Sequence, residues 1–231
     1  MRETSSVMSQ FSTIYERALA RKGGEENLMA LMPSGIKTIK QLNTVPDDRY
    51  LAGISKAVFK AGFVWRVIDS KWTGFEKAFW KFNVRRCAAM SPDDIDTLCH
   101  DESIVRNLKK IQAVQVNAVM LLEFAEEYGS FGKMIAEWPE DDFIGLLSLL
   151  NKRGDRLGCQ TCQNFFRFAG KDGFVLSRDV VAALIGAGVV DKNPTSKSAM
   201  KKVQQAFSEW REESELGFAQ ISRILALSID S

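Results

Sequence analysis

From Phe11 to Ser228 the apolar residues recur at three- and four-residue spacing, and no useful run of alternating apolar and polar residues interrupts them. That periodicity belongs to helices that bury one face. It excludes sheet architectures and leaves an all-α fold, expected as a compact bundle of roughly ten helices with a cleft. The expected segments are Phe11–Arg21, Glu25–Leu31, a long Asp47–Asp69, Thr73–Phe82, a helix opening at Ser91-Pro92-Asp93-Asp94, and Ser103–Tyr128. Asp141–Lys152, Cys159–Ala169, Ser177–Ile185, Ser196–Glu213 and Phe218–Ser228 follow. Pro33-Ser34-Gly35 and Gly129 are stops; Ser91 with Pro92 and two acids is a start signal. No internal boundary is strong. One domain over residues 1–231 is expected, with two lobes as a variant.

Composition narrows the function. With 45% hydrophobic residues among 231, the chain can build a core; with 26% charged residues it reads as water-soluble. Its net charge is only +2, so any nucleic-acid surface must come from local sorting of charge. No apolar run approaches the ~18 residues of a membrane span, and no secretory core opens the chain, so a cytoplasmic protein without membrane association is expected. The single histidine, His100, lies in a run without a nucleophile signature, which argues against a histidine triad and a histidine-rich metal site. Cys159 and Cys162 have metal or redox spacing, but Cys87 and Cys99 bring no zinc signature with them. No metal and no cofactor are expected.

The run RGDRLGCQTCQNFFRFAGKDGFVLSRD, Arg153 to Asp179, carries the chemistry. A glycine-bearing turn over residues 153–162 opens an apolar helix, and free N–H groups at such a helix start bind anions. Eighteen residues separate Thr161 from Asp179, which stands in the first turn of the next helix. The arrangement resembles the helix-hairpin-helix DNA glycosylases. There the hairpin grips a DNA phosphate and an aspartate further on stabilises the sugar cation left as a base departs. The resemblance implies DNA contacts from Arg153, Gly154, Leu157, Gly158, Gln160 and Thr161, with Asp179 catalytic. Arg156 stands where the first hairpin glycine is usual. Bifunctional members carry a lysine before the hairpin threonine; Gln160 stands there, which implies a monofunctional enzyme. The iron–sulphur cysteine pattern of endonuclease III is absent.

A second resemblance lies upstream. Ala61-Gly62 with Trp65, the aromatic run Phe75 to Phe82, and Ile104 to Ala118 are similar to 3-methyladenine DNA glycosylase I. That likeness implies Trp65 as the stacking face for a flipped base, with Phe63 as a further base-binding residue; Trp72, Phe75 and Phe79 read as core. The family's base-reading glutamate falls on Ala57, its structural zinc would need more than one histidine, and it lacks the superfamily aspartate. Lys109, Lys110, Lys197, Lys201 and Lys202 are candidates for a phosphate track. The implied function is excision of alkylated purines, 3-methyladenine first, from double-stranded DNA, with no protein partner implied. The alternatives are a glycosylase of other base specificity and a non-catalytic helix-hairpin-helix DNA-binding protein.

Overall fold

The computed structural model describes residues 9–229. It is helical, with no strand among the described residues. The chain divides into two compact units. One is built from the described parts of Met1–Gly35 and Asp172–Ser231, the other from Ile36–Lys171.

The chain enters through the terminal unit. Helix α1 (Gln10–Lys22) is capped by Ser9 and ends at Gly23; α2 (Glu25–Met29) follows. The middle unit then holds ten helices. They are α3 (Ile39–Asn43), α4 (Asp47–Lys60), α5 (Trp65–Ser70), α6 (Trp72–Ala78), α7 (Val84–Ala88) and α8 (Pro92–His100). After these come α9 (Leu108–Tyr128), α10 (Phe131–Glu137), α11 (Phe143–Arg153) and α12 (Cys159–Ala169). The terminal unit closes with α13 (Arg178–Gly186), α14 (Lys197–Ser214) and α15 (Phe218–Leu227).

Helix α4 is the axis of the middle unit and packs against α9, α10 and α12. It buries Tyr50, Leu51, Ile54, Val58 and Phe59, and the Tyr50 hydroxyl donates to the Leu42 carbonyl at 2.6 Å. Phe59 meets Phe75 edge-on at 4.6 Å, and Phe79 and Phe82 stack at 5.4 Å. The terminal unit has its own aromatic core, in which Phe174 stacks on Phe207 at 4.3 Å and Phe218 meets both rings. Large aromatic rings in offset or edge geometry add specific attraction to their burial.

The helices outnumber the expected ten, for local reasons. The long segment expected over Asp47–Asp69 breaks after Lys60 because Gly62 takes φ +72°, a backbone open to glycine. The expected Thr73–Phe82 helix stops at Ala78; Trp80, Lys81 and Phe82 turn left-handed, which brings the Phe82 ring back against Phe79 and Trp72. Helix α9 starts at Leu108 rather than Ser103 because the Asn107 side chain accepts from the Lys110 N–H. The short helices α3, α7 and α10 carry too few turns to be read from periodicity.

Candidate active site

The hairpin lies in the middle unit, between α11 and α12. Leu157 is buried and anchors it. Asn117, buried on α9, holds it from both sides: its Nδ2 donates to the Asp155 carbonyl at 3.1 Å and its Oδ1 accepts from the Asp155 N–H at 2.9 Å. Asn151 Nδ2 donates to the Leu157 carbonyl at 2.9 Å. Gly154 is hemmed in; a Cβ there would come within 2.5 Å of Leu157 and 2.8 Å of Asn117. Arg156 takes φ +57°, the left-handed conformation for which glycine is the usual residue.

Helix α12 begins without a side-chain cap. Its N-cap is Gly158, around which a Cβ would meet nothing within 4 Å. Nine other helices are capped by a Ser, Thr, Asn or Asp oxygen. Among the described residues nothing accepts from the N–H groups of Cys159, Gln160 and Thr161. An open helix start with three free donors can seat an oxyanion. Arg153 behaves differently. Its guanidinium is committed to Glu123 at 2.9 Å and Glu127 at 2.7 Å and lies 4.1 Å over Phe124.

Trp65 begins α5 and keeps 44% of its surface exposed. Phe168, near the end of α12, is 55% exposed and meets the Trp65 ring edge-on at 5.8 Å. Phe63 and Val64 extend the same exposed apolar stretch. Phe168 escapes the sequence reading because an aromatic on an amphipathic helix reads as core; only its outward register, beside exposed Arg167, distinguishes it. The hairpin helix therefore supplies both the anion seat and half of an aromatic platform. Phe168 lies nine residues beyond Cys159, about 14 Å along the axis.

Cations underlie this platform. The Lys60 ammonium lies 4.9 Å from the Trp65 centroid and 5.3 Å from that of Phe168, and it pairs with Asp69 at 3.0 Å. Lys56 shares that carboxylate at 2.8 Å. Lys56 and Lys60 together hold Asp69 below the usual carboxylate range. Lys110 is buried, not a surface cation of a phosphate track. Its ammonium donates to the Phe59 carbonyl at 3.0 Å and to the Ala61 carbonyl at 2.6 Å, and lies 4.2 Å over Phe63. Burial depresses its pKa, and the charge of Arg156 depresses it further. Ala57, at the position of the family glutamate, is buried and brings no carboxylate.

Asp179 belongs to the terminal unit. It is half-buried in the first turn of α13, capped by Ser177, and no described residue bonds or pairs with its carboxylate. Among the described residues, no group of three or more His, Cys, Asp or Glu side chains stands together as a metal site. No helix among them is long and apolar enough to cross a membrane.

The described residues are all helical, and their fold matches solved helical DNA glycosylases. The architecture is similar to the 8-oxoguanine DNA glycosylase of Methanocaldococcus jannaschii, with TM-score 0.56 and 11% identity over 91% of this chain and 90% of that one. It is also similar to the 8-oxoguanine DNA glycosylase of Thermotoga maritima, with TM-score 0.52 and 13% identity over 94% and 95% of the two chains. A 3-methyladenine DNA glycosylase I variant solved in complex with 3-methyladenine aligns with TM-score 0.51 and 23% identity, over 63% of this chain and 84% of that one. Within the fold, residues 44–144 match the methyladenine glycosylase family model. That segment carries Lys60, Phe63, Trp65 and Lys110, and ends before the hairpin and Asp179.

Proposed function

We propose that this protein is a monofunctional DNA glycosylase that flips an alkylated purine out of double-stranded DNA and hydrolyses its N-glycosidic bond. The observation that carries the reading is the sharing of α12 between an open anion seat and an exposed aromatic platform, beside a methyladenine glycosylase match. The N–H groups of residues 159–161 hold a backbone phosphate without reading sequence, joined by contacts from the Gly154–Thr161 turn. Trp65, with Phe63 beside it, offers the stacking face for the extruded base.

The C1′–N bond then breaks, and its electron pair leaves with the base. Positive charge gathers on the sugar. The Asp179 carboxylate, which has no partner among the described residues, is the anion assigned to that charge. A water adds its oxygen to C1′, and its proton passes to the carboxylate or to solvent. The Gln160 amide cannot form a Schiff base, which supports base removal without strand cleavage. Ala57 favours a second reading, a glycosylase whose base differs from 3-methyladenine, since the acid that would read that base is missing.

The test is release of 3-methyladenine from alkylated duplex DNA by the intact protein and by Asp179→Asn. Release that disappears in the variant supports both the reaction and its anion. Release that survives removes Asp179 from the mechanism. DNA binding with no release of any alkylated base leaves a glycosylase of another lesion or a non-catalytic binding protein.

A further inference from the structure

The positive charge beneath the aromatic platform has a consequence for which base can lie there. One lysine ammonium lies against both rings, and two more stand near it. Lys60 sits in the notch between Trp65 and Phe168, Lys110 lies over Phe63, and Lys56 stands next to Lys60 across Asp69. One carboxylate, Asp69, answers Lys56 and Lys60; Lys110 is held by backbone carbonyls alone and has Arg156 nearby. The group therefore carries excess positive charge. Lys60 is only 8% exposed, so water screens it weakly. A cation already lying against one face of a ring repels a second cation brought to the other face, which offsets the attraction of the ring for it.

We infer that the Trp65–Phe168 platform selects uncharged alkylated purines over those carrying a fixed positive charge, and that Lys60 is the residue that sets this preference. The inference rests on the glycosylase reading above and names its substrate class. The sign is the same at both stages of the reaction. A cationic purine is repelled on binding. An uncharged purine gains negative charge as the bond electrons move onto it, and a nearby ammonium stabilises that charge as it develops. The preference therefore appears in kcat/KM.

The experiment compares kcat/KM for release of 3-methyladenine, cationic while in DNA, and of 1,N6-ethenoadenine, uncharged, from otherwise identical duplexes. Lys60→Met keeps the stem and removes the charge, while Asp69 retains Lys56. It should raise the ratio of cationic to uncharged release about tenfold, the scale of one charge ~8 Å from the base at an effective dielectric of ~20 after partial screening. Asp69→Asn lies on an exposed residue and leaves both lysines uncompensated, so it should move the ratio several-fold the other way. Lys60→Arg should hold the intact protein's ratio. If Lys60→Met fails to fold, the opposite shift in Asp69→Asn still reads the effect. Ratios unchanged in the variants, with release intact, overturn the charge preference. No release of either base by the intact protein overturns the alkylated-purine reading on which the inference rests.

Discussion

Asp179 and Lys110 pose opposite cases of a charged side chain. Asp179 has no partner among the described residues, so its charge is available to chemistry and its removal costs the fold little. Asp179→Asn is expected to cut base release about 10²–10³-fold, the range for losing one preorganised electrostatic group, while the thermal midpoint stays within a degree or two. Lys110 has the reverse character. Its two bonds to the carbonyls at the end of α4 tie α9 to the chain turn that presents Phe63 and Trp65. Lys110→Met should lower unfolding stability by about 1–3 kcal/mol, read from the urea midpoint, because a buried carbonyl and a partly buried one lose a charged donor. In the sequence Lys110 looked like surface charge. Burial of a lysine depends on carbonyls that the fold brings to it, and those do not appear in local composition.

At the scale of the element, the hairpin is held by side chains from other helices. Asn117→Ala would strip the Asp155 N–H and carbonyl of their partner and is expected to destabilise by about 2 kcal/mol. DNA affinity should fall alongside, equally across sequences, as fluorescence anisotropy would read. Arg156→Gly tests the turn itself. Its φ of +57° costs a residue with a Cβ, so glycine should gain up to about 1 kcal/mol of stability, checked by denaturant unfolding. The start at Ser91, the stop at Gly129 and both ends of α12 were legible because caps and stops are local chemistry. The break after Lys60 was not, since Gly62 sits in a run whose apolar spacing continues through it. Phe168 was missed for a related reason: periodicity assigns a residue to a helix face without saying whether that face is covered.

On the scale of the whole molecule, two buried thiols set an alkaline limit. Burial pushes Cys87 and Cys162 from 9.0 up to about 12. The unfolded chain releases these protons first, so their contribution to stability is complete below pH 9 and is lost as pH rises towards 12. Lys110, shifted downward, acts in the opposite sense below its ordinary 10.5. Two thiols against one ammonium predict a net fall, seen as a lower urea midpoint at pH 10.5 than at pH 8 and reduced in Cys87→Ala and Cys162→Ala. The sequence alone determined that the chain is helical, that a glycine-bearing turn precedes α12, and that an acid opens α13. Those follow from spacing, capping and glycine placement within a few residues. Tertiary structure alone decided that Arg153 is bound to glutamates, that Phe168 joins Trp65, and that lysines lie under the platform. Each is a meeting of residues far apart in the chain, and which partners meet depends on how helices pack, a quantity that no local pattern encodes.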